Sequence, residues 1–180
     1  MNALVLLDRD GTINLDIGYL SSPDALVLLP NAAPGIRFMN DLGLTVVIVT
    51  NQSAIGRGFF DRVTVESIHA RLLQMLRMEG ARVDGIYYCP HHPDEGCACR
   101  KPKPGLAEVA ARDWNGDLAK SYVIGDKACD IELGKHVGAT TFLIQAEDGA
   151  NMAQTNLVNP DFIVHDIKAA AEVIGARFAR

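Results

Sequence analysis

No stretch of this sequence is apolar for long enough to cross a bilayer. The longest clean run is 44–49, with Thr45 inside it, against the roughly 18 residues a membrane helix needs. A basic excess is lacking too: 17 Lys and Arg stand against 22 Asp and Glu, a formal net charge of −5. Binding to nucleic-acid phosphates shows as a basic stripe, so that class is set aside. Internal repeats are absent, and no linker divides the chain. Cysteines number only four. The N-terminal apolar stretch 3–7 runs at once into Asp8-Arg9-Asp10, too short and too soon charged for an export signal. A disulfide framework is therefore not expected. What is there is 180 residues, 48% apolar and 22% charged, enough for one domain with an unaided core. The expectation is a cytoplasmic monomer, one domain over 1–180, with a small-molecule substrate and no nucleic-acid or membrane partner.

Apolar periodicity alternates between two kinds along the chain. Continuous apolar runs at 3–7, 44–49, 122–124 and 140–144 read as buried strands, with short strands at 86–88 and, at an edge, 162–164. Helical spacing covers 31–42, 64–78, 105–113, 130–137 and 167–178, with Asn31 as an N-cap and Gly43, Gly80 and Gly138 as stops. The polar segment 145–160 reads as loop. Strands alternating with helices, several of them apolar throughout, predict an α/β fold: a three-layer, Rossmann-like parallel sheet covered on both faces.

Three of the four cysteines fall in one loop, 89–99, in the pattern Cys89-x-His91-x5-Cys97-x-Cys99. Thiolates and imidazole are the usual ligands of tetrahedral Zn²⁺. Four ligands fill the coordination sphere, which makes a closed structural site. Pro90, Pro93 and Gly96 bend the loop toward a common centre. His92 is an alternative imidazole. Cys129 stands apart and reads as a small buried apolar residue.

In parallel sheets chemistry collects at the carboxyl ends of strands. Here those ends carry Asp8-Arg9-Asp10-Gly11-Thr12, Thr50-Asn51-Gln52-Ser53 and Gly125-Asp126-Lys127. Asp8, Asp10 and Asp126 so close together repel unless a cation lies among them, and oxygen ligands suit Mg²⁺. The set supplies what phosphoryl transfer needs. Asp8 can be the attacking carboxylate and Asp10 the general acid and base. Thr50 offers a hydroxyl and Lys101 a cation for the phosphoryl oxygens.

The order D-x-D-G-T at 8–12, Thr50-Asn51, Lys101-Pro102 and G-D-x-x-x-D at 125–130 resembles the haloacid dehalogenase superfamily of aspartyl-phosphate phosphatases. The zinc loop narrows the resemblance to a branch without a large cap domain. That branch comprises D-glycero-D-manno-heptose 1,7-bisphosphate phosphatases and histidinol phosphatases. It implies Asp8, the Asp10 backbone carbonyl and Asp126 as Mg²⁺ ligands. It also implies that Asp16, Ile17, Gly18, Tyr19, Thr50, Asn51, Gln52, Ser53, Arg100, Lys101 and Lys127 touch substrate, with Asp130 orienting its neighbours. The strings at 7–19, 50–58, 85–93 and 125–127 are similar to the heptose branch, which implies removal of the 7-phosphate from a small phosphorylated sugar. Two features depart: Ala54 replaces a usual glycine, and the five-residue gap from His91 to Cys97 is as short as in histidinol phosphatases, the alternative. Arg100, a planar fork, suits a second phosphate. A catalytically silent sugar-binding module would have lost a catalytic carboxylate, and none is lost.

Overall fold

A computed structural model of the chain describes residues 2–145 and 158–178. Six strands form one sheet: β1 (Leu4–Leu7), β2 (Thr45–Asn51), β3 (Gly85–Cys89), β4 (Tyr122–Gly125), β5 (Thr140–Ile144) and β6 (Phe162–Val164). Their order is β3-β2-β1-β4-β5-β6, and every pairing is parallel. Between them run α1 (Ala32–Asp41), α2 (Arg62–Met78), α3 (Gly105–Asp113) and α4 (Ala128–Val137), and α5 (Ile167–Phe178) follows β6.

Side chains on a strand point alternately to opposite faces, and the core divides accordingly. Val5, Leu7, Val46, Ile48, Ile124 and Phe142 pack with Ile36 and Met39 of α1, Ile68, Leu72 and Leu76 of α2, and Ile167 and Ile174 of α5. Leu4, Leu6, Val47, Val49 and Val123 face the other way, onto Leu106, Ala107 and Ala110 of α3 and Leu133 of α4. Both faces of the sheet are covered, so its strands are apolar throughout rather than alternating.

Strand succession runs outward from β1 in one direction and from β4 in the other, so the topology reverses between these two neighbours. A crevice opens at such a switch point, outside the carboxyl ends of the strands. Asp8 follows β1 there, its N–H donating to the Ile124 carbonyl at 2.9 Å, and Asp126 follows β4. Among the described residues no additional domain covers the crevice; the β1–α1 connection holds only a short 3₁₀ turn, Pro23–Ala25, and isolated bridges.

Several boundaries differ from the sequence reading. Strand β2 continues to Asn51 because β3 pairs with it to the end, Thr50 against Tyr88 and Asn51 against Cys89. Helix α2 starts two residues early, at Arg62, because Asp61 accepts from the Thr64 N–H at 2.9 Å. Helix α4 starts at Ala128, which makes Asp130 part of its first turn. Asn31 is no side-chain cap: it sits in the left-handed region at φ 62°, and its amide donates to Asp166 at 2.7 Å. Cys129 is half-buried, not core. Most of the polar segment expected at 145–160 lies outside the described residues.

Helices α1 and α5 meet at Gly35, where a Cβ would lie 2.7 Å from the Ile167 backbone. Gly35→Ala should therefore lower stability by about 1–3 kcal/mol through overpacking, although Ala is the better helix former. Urea unfolding of the two proteins checks this; unchanged or increased stability would show that the helix pair can separate without cost.

Candidate active site

The end of β1, the end of β2 and the turn after β4 converge on Lys101. Its Nζ, in a side chain 2% exposed, lies 2.8 Å from Asp8 Oδ1 and 2.7 Å from Asp130 Oδ1. It also donates to the Val49 carbonyl at 2.7 Å. Burial by itself would push this ammonium down; the carboxylates of Asp130 and Asp8 outweigh it and hold it above its ordinary value. Asn51 fixes the lysine's backbone from both sides, accepting from its N–H at 3.0 Å and donating to its carbonyl at 3.2 Å.

Asp8, Asp126 and Asp130, all buried, each bring a carboxylate oxygen within 4.8 Å of the others, a group able to hold a metal ion. Burial, followed by the charge of Asp8, pushes the Asp126 carboxyl up to about 7. Burial also pushes Asp130 up, to about 6. An oxygen-only set under this mutual repulsion fits a hard divalent cation. Gly11 is what lets the chain pass: at φ 84° it suits glycine, and a Cβ there would collide with the Asp126 carboxylate. Asp130 also accepts from the Lys127 N–H at 3.1 Å, so it ties the turn after β4 to Lys101.

The Asp10 side chain stays out of that carboxylate group. Its Oδ1 accepts from Arg9 Nε at 3.1 Å, Arg9 Nη2 at 2.9 Å and Asn14 Nδ2 at 2.9 Å. Its Oδ2 accepts from Arg9 Nη2 at 2.8 Å and Gln52 Nε2 at 2.9 Å. The Gln52 amide reaches Thr50 Oγ1 as well, at 3.1 Å. Asn51 and Gln52, expected against substrate, are thus engaged with the protein; Ser53 is half-buried.

Around the mouth, Asp16 pairs with Lys127 at 2.8 Å and accepts from the Gly18 N–H at 2.8 Å. Ile17 and Tyr19 are exposed, and Tyr19 stands edge-on to Phe59 with centroids 4.7 Å apart. Arg100 is half-buried, and its Nη1 is buried with no hydrogen-bond partner.

The four residues of the 89–99 loop come together as their spacing implies. Cys89 Sγ lies 3.5 Å from Cys97 Sγ and 3.6 Å from His91 Nδ1; Cys99 Sγ lies 3.5 Å from Cys97 Sγ and 3.1 Å from His91 Nδ1. A tetrahedron with Zn–S near 2.3 Å has S···S edges of about 3.8 Å, close to these separations. Burial pushes the Cys89 thiol up, a cost that a cation among the sulfurs would offset. The alternative imidazole is used elsewhere: His92 Nδ1 accepts from the Asp94 N–H at 3.3 Å and caps the turn Pro93–Glu95. Gly96 at φ 65° turns the chain back, and Lys103 donates to the Gly96 and Cys97 carbonyls.

Sequence reasoning missed Arg9, Asn14, His69 and Phe59. One signal was legible for His69: Val65, His69, Leu72 and Leu76 share the buried stripe of α2, where a polar side chain calls for a partner.

A HAD-hydrolase-like family model matches residues 98–170. The chain is similar to the D-glycero-beta-D-manno-heptose-1,7-bisphosphate 7-phosphatase of Bordetella bronchiseptica, 39% identical over 171 residues, 94% of this chain and 96% of that one. The corresponding protein of Pseudomonas aeruginosa is 36% identical over 173 residues, 96% of this chain and 97% of that one. Among solved structures, D,D-heptose 1,7-bisphosphate phosphatase from B. bronchiseptica, complexed with magnesium and phosphate, superposes with a TM-score of 0.89 at 37% identity, covering 97% of this chain and 99% of that one.

Removing one partner of a buried ion pair leaves an uncompensated charge. Lys101→Met should therefore destabilise the metal-free protein by about 3–5 kcal/mol, and a divalent cation should recover part of the loss. Chemical denaturation with and without added Mg²⁺ checks this; a loss below about 1 kcal/mol would mean that water, not Lys101, compensates Asp8 and Asp130.

Proposed function

The chain belongs to the haloacid dehalogenase-like hydrolases, and from that premise we propose that it hydrolyses the 7-phosphate of D-glycero-D-manno-heptose 1,7-bisphosphate through an aspartyl-phosphate on Asp8. The observation that carries the reading is the contact of Lys101 with Asp8 at 2.8 Å, beside the carboxylate group of Asp8, Asp126 and Asp130 at the switch point. Relatives that match nearly the whole chain support the substrate.

In this reading the Asp8 carboxylate attacks phosphorus while Lys101 and the Thr50 hydroxyl hold the equatorial oxygens. Asp10 donates a proton to the departing sugar oxygen and then takes one from the water that cleaves the aspartyl-phosphate. Asp8, Asp126 and the Asp10 backbone carbonyl would hold Mg²⁺, which neutralises charge between the attacking carboxylate and the phosphoryl group. Cys89, His91, Cys97 and Cys99 would hold Zn²⁺ in a closed structural site. That loop feeds directly into Arg100 and Lys101, so the zinc end positions the cations. Asp16 to Tyr19, Ser53 and Lys127 line the sugar side. The protein acts as a one-domain monomer in the cytoplasm, on a small phosphorylated sugar and without a nucleic-acid partner, in keeping with its net charge of −5. Among the described residues no helix is long and apolar enough to cross a membrane.

Phosphate release from both anomers of heptose bisphosphate and from histidinol phosphate, at equal concentrations with Mg²⁺, tests the substrate. Heptose bisphosphate should be preferred, and histidinol phosphate as the better substrate would favour the reading that the short zinc loop supports. Asp8→Asn should remove all but a trace of activity. Retention of more than about a tenth, a loss under ~1.4 kcal/mol, would rule out Asp8 as nucleophile.

Arg100 is half-buried and its Nη1 has no hydrogen-bond partner; a rotation of the guanidinium would bring that nitrogen to the second phosphate. Arg100→Ala should cost about 1.5–3 kcal/mol in kcat/KM on the bisphosphate, the worth of a charge-assisted hydrogen bond, and much less on p-nitrophenyl phosphate. Equal losses on the two would place Arg100 on the reacting phosphate instead.

A further inference from the structure

Arg9 lies between the two motif aspartates, yet its side chain is only 1% exposed and among the largest fully buried ones. A buried guanidinium is costly unless its donors are used. Nε and Nη2 fork onto Asp10 at 2.8–3.1 Å, and Nη2 also reaches Gln52 Oε1 at 3.1 Å. The remaining nitrogen, Nη1, lies 3.1 Å from His69 Nε2.

Guanidinium only donates. His69 Nε2 must therefore present a lone pair, which puts the ring proton on Nδ1. Burial, then the charge of Arg9, pushes His69 down to about 3, so the ring stays an acceptor at any working pH. Its orientation is set by Tyr88 of β3, edge-on with centroids 5.4 Å apart, and its backbone by α2, which Asp61 caps. Arg9 thus links a core helix to a carboxylate 16% exposed at the mouth of the crevice.

We propose that His69, acting through Arg9, is a positioning residue that fixes the Asp10 carboxylate for proton transfer with the ester oxygen. The proposal rests on the phosphatase reading above. Without the Nη1 anchor the guanidinium keeps only Gln52 Oε1 besides Asp10 and can tilt about its stem with the fork, which leaves Asn14 and Gln52 to hold the Asp10 carboxylate. The nucleophile side does not depend on this anchor, because Asp8 is held by Lys101 and by the Arg9 backbone N–H at 2.7 Å.

Leaving-group dependence separates positioning from mere packing. A sugar alkoxide departs only with a proton, whereas p-nitrophenolate departs without one. Single-turnover rates, with Mg²⁺-loaded enzyme in excess, would be measured on the heptose bisphosphate and on p-nitrophenyl phosphate. His69→Leu should slow the sugar ester by about 10- to 100-fold, part of what general acid catalysis supplies, and the aryl ester by less than about threefold. His69→Gln, whose amide oxygen can accept from Nη1, should stay within about threefold of wild type on both. A ratio of the two losses under about fivefold in the Leu variant, as packing alone would give, overturns the proposal. So does a Gln variant as slow as the Leu variant on the sugar ester. If His69→Leu does not fold, His69→Asn, one carbon too short to reach, takes its place under the same criterion. A wild-type protein inactive on both esters would instead refute the phosphatase reading.

Discussion

Three buried aspartates cannot share one crevice without cations among them, and the sheet topology brings them to one point. β1 and β4 are neighbours whose chains run outward in opposite directions, so Asp8, Asp126 and Asp130 are delivered to one point. Lys101 is the permanent cation there, held by three acceptors within 2.8 Å. Much else follows from keeping that ammonium in place. Asn51 extends β2 past its apolar run to grip the Lys101 backbone. Gly11 stays bare so that the Asp126 carboxylate fits against the chain. Asp130 sits in the first turn of α4, where it accepts a backbone N–H and faces the lysine.

The second buried cation serves a different aspartate. The Arg9 side chain turns away from Asp8 and forks onto Asp10, so the two acids of the 8–10 triplet have separate cations. That separation matters for chemistry. In the proposed mechanism one carboxylate must stay bare enough to attack, while the other must exchange a proton without drifting toward the oxygens that could hold a metal. A point charge suits the first and a planar fork the second, which is the difference between Lys and Arg.

How far the sequence alone reached depends on the range of the interaction concerned. The strands and their acidic ends were legible because apolar runs and the residues that stop them are local signals. The Cys/His cluster was legible for the same reason: its four side chains span eleven residues. Asn31 shows the limit. Its position before α1 reads as a cap, but the amide goes to Asp166, 135 residues away. Arg9 and His69 are 60 apart, and Asn51 and Lys101 are 50 apart. Such pairs exist only once the sheet order is known. The same applies to Gln52, which resembles a substrate contact in the string 50–53 but spends its amide on Arg9, Asp10 and Thr50.

The absence of a covering domain among the described residues changes what the loops must do. Charges at a rim open to solvent, such as Asp16 and Lys127, are weakened by water, so selectivity must come from side chains fixed there. The thiol and imidazole group lies next to that rim in sequence, with Cys99 adjoining Arg100 and Lys101. Lys103 ties the same loop back through the Gly96 and Cys97 carbonyls. An arginine between a tightly turned loop and a buried lysine has little backbone freedom left to lose when it meets an anion. With a metal in its thiol and imidazole cluster, a loop of eleven residues would do part of what a cap does elsewhere, by holding a few donors still rather than by excluding water.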